Sequence, residues 1–196
     1  MPYGTEDPPF PRNCTYFNGV PIDTSVLTNI GGEQYEGKEY HFEDSVYGTG
    51  TPITLRVVRN LNAAPVLASQ VVMPETTDPN NLYPYIGRVN GQYNTTPDVG
   101  GKGLLADELI PTVGCPQYDL CYVVVRGPCK ALTPAAGTTL AIGQPVVPTA
   151  TGAVAAGVYT GAAPAAENEV LNTLGRSLAA MTSGQTGALF PVLVGW

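Results

Sequence analysis

Glycine and proline punctuate this chain too densely for long helices. The 23 glycines and 19 prolines among 196 residues amount to about a fifth of the sequence, well above their usual share. Proline removes a backbone donor and restricts the residue before it. What lies between these breaks is short and rich in β-branched residues. From Thr51 the chain alternates Ile53, Leu55 and Val57 with Thr54, Arg56 and Val58, the two-residue period of a half-buried strand. Residues 60–65 supply turn formers and residues 66–73 return as a second β-rich run, so a hairpin or a tight pair of strands is expected.

The strongest strand signal lies at residues 120–129, where Val123, Val124 and Val125 are followed by Gly127 and Pro128. This is expected to be a central strand. Residues 104–110 fit either one helical turn or an edge strand, stopped by Pro111. Further on, apolar pieces at 141–148, 152–159, 174–182 and 188–196 recur between glycines and prolines. Leu189, Phe190, Val192, Val194 and Trp196 are expected to fill the core or a subunit interface. At 43% hydrophobic residues the chain can bury one sizeable core or two small ones. The expected fold class is all-β, a small β-sandwich or barrel with helix below about a fifth.

Two segments fall outside this rhythm. Residues 1–50 hold eight acids against Arg12 and Lys38, and so carry −6 of the net charge of −7. Their first dozen positions include Pro2, Pro8, Pro9 and Pro11 and read as an extended arm. Residues 74–103 combine many turn formers with Tyr83, Tyr85 and Tyr93, as a functional loop or insertion would. The expected organisation is an acidic N-terminal arm over 1–50 and a β-rich body over 51–196, with a loop inserted at 74–103.

Composition narrows function. A net charge of −7 with pI near 4.5 lacks the cationic footprint of a nucleic-acid binder. No apolar run approaches the roughly 18 residues of a membrane span, and the first residues have neither the basic start nor the apolar stretch of a signal peptide. Synthesis and residence in a cytosol are therefore expected. His41 is the only histidine, which lowers the expectation of imidazole-based catalysis. The acid pairs Glu43–Asp44, Asp107–Glu108 and Glu167/Glu169 read as solvated loop acids, since nothing in sequence brings two pairs together. Gly100-Gly-Lys-Gly lacks the spacing and following Ser or Thr of a phosphate loop. Cys14, Cys115, Cys121 and Cys129 lack the paired knuckles of a zinc site, and Cys121 and Cys129 are expected to be buried, unpaired and metal-free. The sequons Asn13-Cys-Thr and Asn94-Thr-Thr would need a secretory route. No catalytic residue, cofactor or metal is expected.

The C-terminal half carries a familiar order of pieces: Val123-Val-Val-Arg-Gly-Pro-Cys-Lys-Ala-Leu, then Leu140-Ala-Ile-Gly-Gln-Pro-Val-Val-Pro-Thr-Ala-Thr-Gly-Ala-Val, then Asn172-Thr-Leu-Gly-Arg-Ser-Leu. It resembles the small β-rich decoration, or head cement, proteins of tailed bacteriophages. The match covers residues 51–73 and 104–196 and consists of strand-and-turn patterns. The resemblance implies a non-enzymatic virion protein on the outer surface of the capsid, made in the host bacterial cytoplasm. Its implied partners are the major capsid protein and copies of itself, as a homotrimer, with no direct nucleic acid and no membrane.

The capsid contact is expected in the two segments that the resemblance leaves out. The carboxylates Glu33, Glu36, Glu39, Glu43 and Asp44 would face basic patches, while Tyr3, Phe10, Tyr16 and Phe17 anchor apolar pockets together with Tyr83, Tyr85 and Tyr93. Two competing functions use the same residues: a carbohydrate-binding or adhesion module built on Tyr83, Tyr85 and Tyr93, and a cell-wall hydrolase built on Glu43 or Asp44 near His41.

Overall fold

The computed structural model describes residues 7–16, 32–44, 46–75, 87–93, 103–133, 139–157, 173–181 and 188–195. The fold is all-β. Among the described residues the only helical element is one 3-10 turn at Glu33–Tyr35. The strands are β1 (Glu39–Phe42), β2 (Ile53–Asn60), β3 (Val71–Pro74), β4 (Arg88–Gln92), β5 (Leu104–Ala106), β6 (Leu120–Leu132), β7 (Pro145–Pro148), β8 (Val154–Ala156), β9 (Gly175–Ser177) and β10 (Leu189–Val194).

Pairing runs β2-β4-β3-β5-β6, and an antiparallel ladder from β6 back to β2 closes these strands into a ring. Val58, Val72, Val89, Ala106, Cys121 and Val123 come from the five ring strands and form one buried cluster with Val66, Ile110 and Cys115. Their small size fits the narrow lumen of a ring with so few strands. Alternate residues of the same strands, including Leu55, Val57, Val71, Leu105, Tyr122 and Val124, point the other way into a larger cluster. This explains why β2 is buried on both faces rather than half-buried as its period suggested.

The expected central strand is there, and it does double duty. Its first part pairs with β2 and β5, while Gly127–Leu132 pairs with β10. From β10 a second sheet continues through β9 and β7 to β8, and Val146, Val154, Leu174, Phe190, Val192 and Val194 join the larger cluster. The C-terminal run therefore fills the core as expected, except that Leu189 is exposed; Trp196 lies outside the described residues.

Three expectations need correction. Neither a β2–β3 hairpin nor a direct β2–β3 pair forms, because β4 lies between them and pairs with β2 in parallel. Asn60 draws the intervening chain elsewhere: its side-chain amide donates to the carbonyls of Ala64 and Cys115. The stretch 74–103 is not simply a loop, since Arg88–Gln92 is a ring strand. Its alternating burial was hidden among turn-forming residues. Leu104–Ala106 is a strand held between β3 and β6, not an edge.

The first fifty residues are also more than an arm. Strand β1 adds to β2 along Glu39–Phe42. Phe10 is buried in the larger cluster, 4.6 Å from the Tyr122 ring, and Tyr122 Oη donates to its carbonyl at 2.8 Å. Tyr16 and Leu120 exchange backbone hydrogen bonds of 3.1 and 3.0 Å. Arg12 reaches the fully buried Asp107 through Nε at 2.9 Å and Nη2 at 2.6 Å, the two-pronged geometry that favours arginine over lysine. The apolar ring of Phe10 gains more from the core than from water, and Phe10, Arg12 and Tyr16 hold this segment against the body.

Candidate interaction surfaces

Two surfaces differ sharply in charge. The first is the acidic stretch around β1. Glu33, Glu39 and Glu43 are exposed along it. Glu39 pairs with Arg56 across the β1–β2 ladder at 2.5 Å. Glu36 is turned inward: its two oxygens take Arg59 at 2.5 Å and Arg88 at 2.7 Å, and Arg59, itself fully buried, also donates to the Tyr118 carbonyl at 2.6 Å. Glu36 therefore holds the ring together rather than facing a partner. Asp44 caps a turn, accepting from the N–H groups of Val46, Tyr47 and Thr49 and from the Thr49 hydroxyl. Of the five acids expected to meet basic patches, these two have structural duties.

The hydrogen bond from the Thr49 hydroxyl and those from the turn N–H groups pull the Asp44 pKa down to about 2. A carboxyl held below its unfolded value stabilises the fold above that unfolded value, near 3.9, and the contribution disappears as pH falls from there through about 2. Replacing Asp44 with Asn is expected to flatten the acid limb of a stability–pH curve between about pH 4 and pH 2. Chemical denaturation at a series of pH values measures this, and an unchanged limb counts against the cap.

The second surface is uncharged. At the ring end marked by Asn60 and Leu120, the β2–β3 loop and the β5–β6 loop are bound to one another. Val66 and Cys115 exchange backbone hydrogen bonds of 3.0 and 2.8 Å, Tyr118 N–H donates to the Asn60 carbonyl at 2.7 Å, and Gln117 Nε2 donates to the Leu61 carbonyl at 3.0 Å. Gly114 sits so close that a Cβ there would stand 2.8 Å from Pro65 Cβ. On this braced platform Leu67 is 45% exposed, Leu109 43% and Val113 80%. The acids of the same loops are withdrawn, with Asp107 and Asp119 buried and Glu108 bonded to Tyr47 at 2.5 Å.

Sequence reasoning took residues 60–65 for a turn and Pro111 for a stop, and so missed this tip. The readable signal was a pair of proline-flanked loops in which Leu67 and Val113 have no charged neighbour in sequence. Among the expected aromatic anchors, Tyr93 is fully buried and Phe10 is 6% exposed. Both are anchors of this chain's own core and are not presented to a partner. Tyr16 is exposed, stacked at 5.9 Å on Phe10. Tyr3, Phe17, Tyr83 and Tyr85 lie outside the described residues.

No protein-family model matches the sequence, and no curated protein matches it. Among solved structures, the chain is similar to the head fiber gp8.5 N base of bacteriophage phi29, at a TM-score of 0.38 and 14% identity, over 73% of this chain and 94% of that one.

The groups considered for chemistry are occupied otherwise. His41 lies on β1 with Nδ1 3.0 Å from Thr54 Oγ1. Among the described residues no group of three metal-binding side chains comes together, and Glu167 and Glu169 are outside that set. All four cysteines are free thiols, and Cys115, Cys121 and Cys129 are fully buried, as expected for Cys121 and Cys129. Burial pushes the Cys129 thiol far up, and contact with Cys121 followed by burial does the same for Cys115. Neither is a thiolate nucleophile at neutral pH. With Cys14 exposed, one thiol is expected to react rapidly with a disulfide reagent in native buffer and four in denaturant without reductant. Fewer than four in denaturant would reveal a disulfide.

Proposed function

We propose that this chain is a non-enzymatic structural protein of a tailed-phage virion, binding the outer surface of the assembled capsid and cementing neighbouring major capsid subunits. It is made in the host bacterial cytoplasm and works as a homotrimer, with no cofactor and no direct contact with nucleic acid or membrane. Support comes from the strand-and-turn resemblance over residues 123–132, 140–154 and 172–178, all within the β-rich body. The observation that carries the reading is the exposed acidic edge: β1 is an edge strand of the sheet order, and Glu33 before it, Glu39 in it and Glu43 after it are exposed. A surface of this kind suits salt-sensitive attachment to basic patches on a much larger assembly. Cement binding adds free energy only to the assembled shell, so its activity is stabilisation of that shell.

The test is virion composition followed by reconstitution. Mass spectrometry of purified particles should find the chain at a copy number close to that of the major capsid protein. Binding to emptied heads should weaken when salt rises from 0.05 to about 0.5 M, where the screening length falls from roughly 14 Å to about 4 Å, and in the Glu33→Lys, Glu43→Lys double variant. Absence from particles, or occupancy unaffected by both changes, refutes the reading.

A further inference from the structure

We propose that residues 7–16 form a latch whose grip on the body is set by one proton on Asp119, tightest when that carboxyl is neutral and looser as pH rises. This device is independent of the virion role.

The segment is held by the body rather than by itself. Among the described residues its internal backbone hydrogen bonding is one contact, from the Cys14 N–H to the Pro11 carbonyl at 3.1 Å. Its attachments are to the body: Phe10 against Tyr122, Arg12 on Asp107, Thr15 on Asp119, and Tyr16 paired with Leu120. A segment of this kind can open locally while the sheets stay folded.

The attachment at Asp119 is incomplete. The Thr15 hydroxyl donates to Oδ2 at 2.9 Å, but Oδ1 of this buried residue has no hydrogen-bond partner among the described residues. A buried carboxylate oxygen without a donor is costly. Neutralising the carboxyl relieves that cost while the latch is closed, and water relieves it once Thr15 and Tyr16 lift away.

The groups facing Asp119 do not cancel the effect. Arg59 on β2 attracts the carboxylate, yet its guanidinium is engaged by Glu36 and the Tyr118 carbonyl. Cys115, whose thiol donates to the Asp119 carbonyl at 3.5 Å, is uncharged at neutral pH. Burial outweighs the Thr15 hydrogen bond and the Arg59 charge and pushes the Asp119 carboxyl above its ordinary value. The closed latch therefore binds the proton more tightly than the open one. This contribution to closure is complete below the ordinary carboxylate value, near 3.9, and is lost as pH rises through the raised value. Opening carries Phe10 away from Tyr122, so the same proton governs access to the aromatic group of Tyr40, Phe42 and Tyr122.

Amide hydrogen exchange of the full chain tests this at the Tyr16 N–H, which bonds to the Leu120 carbonyl. The amides joining β2 to β6 report opening of the ring and show that each variant is folded. Tyr16 is expected to exchange faster than those amides. Its protection in the wild type, divided by that in Asp119→Asn, is expected to fall at least about threefold between about pH 4 and about pH 7. Asp107 is present in both proteins, so its titration cancels in this ratio. Thr15→Val removes the donor to Oδ2 and is expected to steepen the fall. A ratio that is flat or rises with pH overturns the proposal. So does a Tyr16 amide that exchanges only together with β2 and β6, or a Thr15→Val profile identical to the wild type.

Discussion

Replacing Arg59 with Met is expected to cost about 3–5 kcal/mol of folding stability, the range for breaking a buried ion pair from one side. The guanidinium is fully buried and joins three parts of the chain: Glu36 before β1, Arg59 itself in β2, and the Tyr118 carbonyl at the start of β6. Methionine fills much of the volume but leaves a carboxylate oxygen and a carbonyl without their donor. Arg88 still holds the other oxygen of Glu36, so the carboxylate is not stranded completely. Urea unfolding of wild type and variant gives the difference. A loss under about 1 kcal/mol would mean that solvent reaches the pair and that the ring closes without it.

The second large effect is at Gly127, where β6 leaves the ring and enters the second sheet. Its φ of 113° lies where side chains are strained, and a Cβ would stand 2.9 Å from both Ile53 Cα and the Pro52 carbonyl oxygen. Gly127→Ala is expected to destabilise by about 3 kcal/mol, combining a conformational cost of roughly 1–2 kcal/mol with displacement of the β2 backbone. For a chain of this length that lowers Tm by about 6–12 °C. Gly143→Ala is the control: its φ is 77° and nothing stands within 4 Å of the added atom, so only the conformational part remains. Equal losses at both sites would remove steric closeness from the explanation.

The sequence was legible where burial follows from local pattern. Ile53, Leu55 and Val57 in β2 and the valines of β6 are strand residues because β-branched side chains fit a pleated, buried surface, whereas Gly127 and Pro128, which read as the end of that strand, lie inside β6. It was opaque where a distant partner decides. Arg88–Gln92 has the composition of a loop and becomes a strand only because β2 and β3 stand on either side of it. Phe10 looked like an anchor for another protein because nothing near it in sequence announces Tyr122. Glu36 looked like one more surface acid, and its burial follows from two arginines more than twenty and fifty positions away. The interaction surfaces divide in the same way: the acidic edge is visible from charge alone, whereas the loop tip needs Val66 and Cys115 to be brought together.

The contact between Phe10 and Tyr122 spans 112 positions, and this separation has a meaning during synthesis. At about 5–20 residues per second, on the order of ten seconds pass between the emergence of Phe10 and that of the strand that receives it. Strand β1 likewise waits for β2, and β2 for β6, before any ring exists. Through that interval the leading segment is an unfinished chain with apolar rings and no core to enter. Its eight acids against two bases give it net charge of one sign, which favours solubility in a chain without a core. Glu36 is likewise translated 23 positions ahead of Arg59 and 52 ahead of Arg88, and until they follow it is one more charge of that kind.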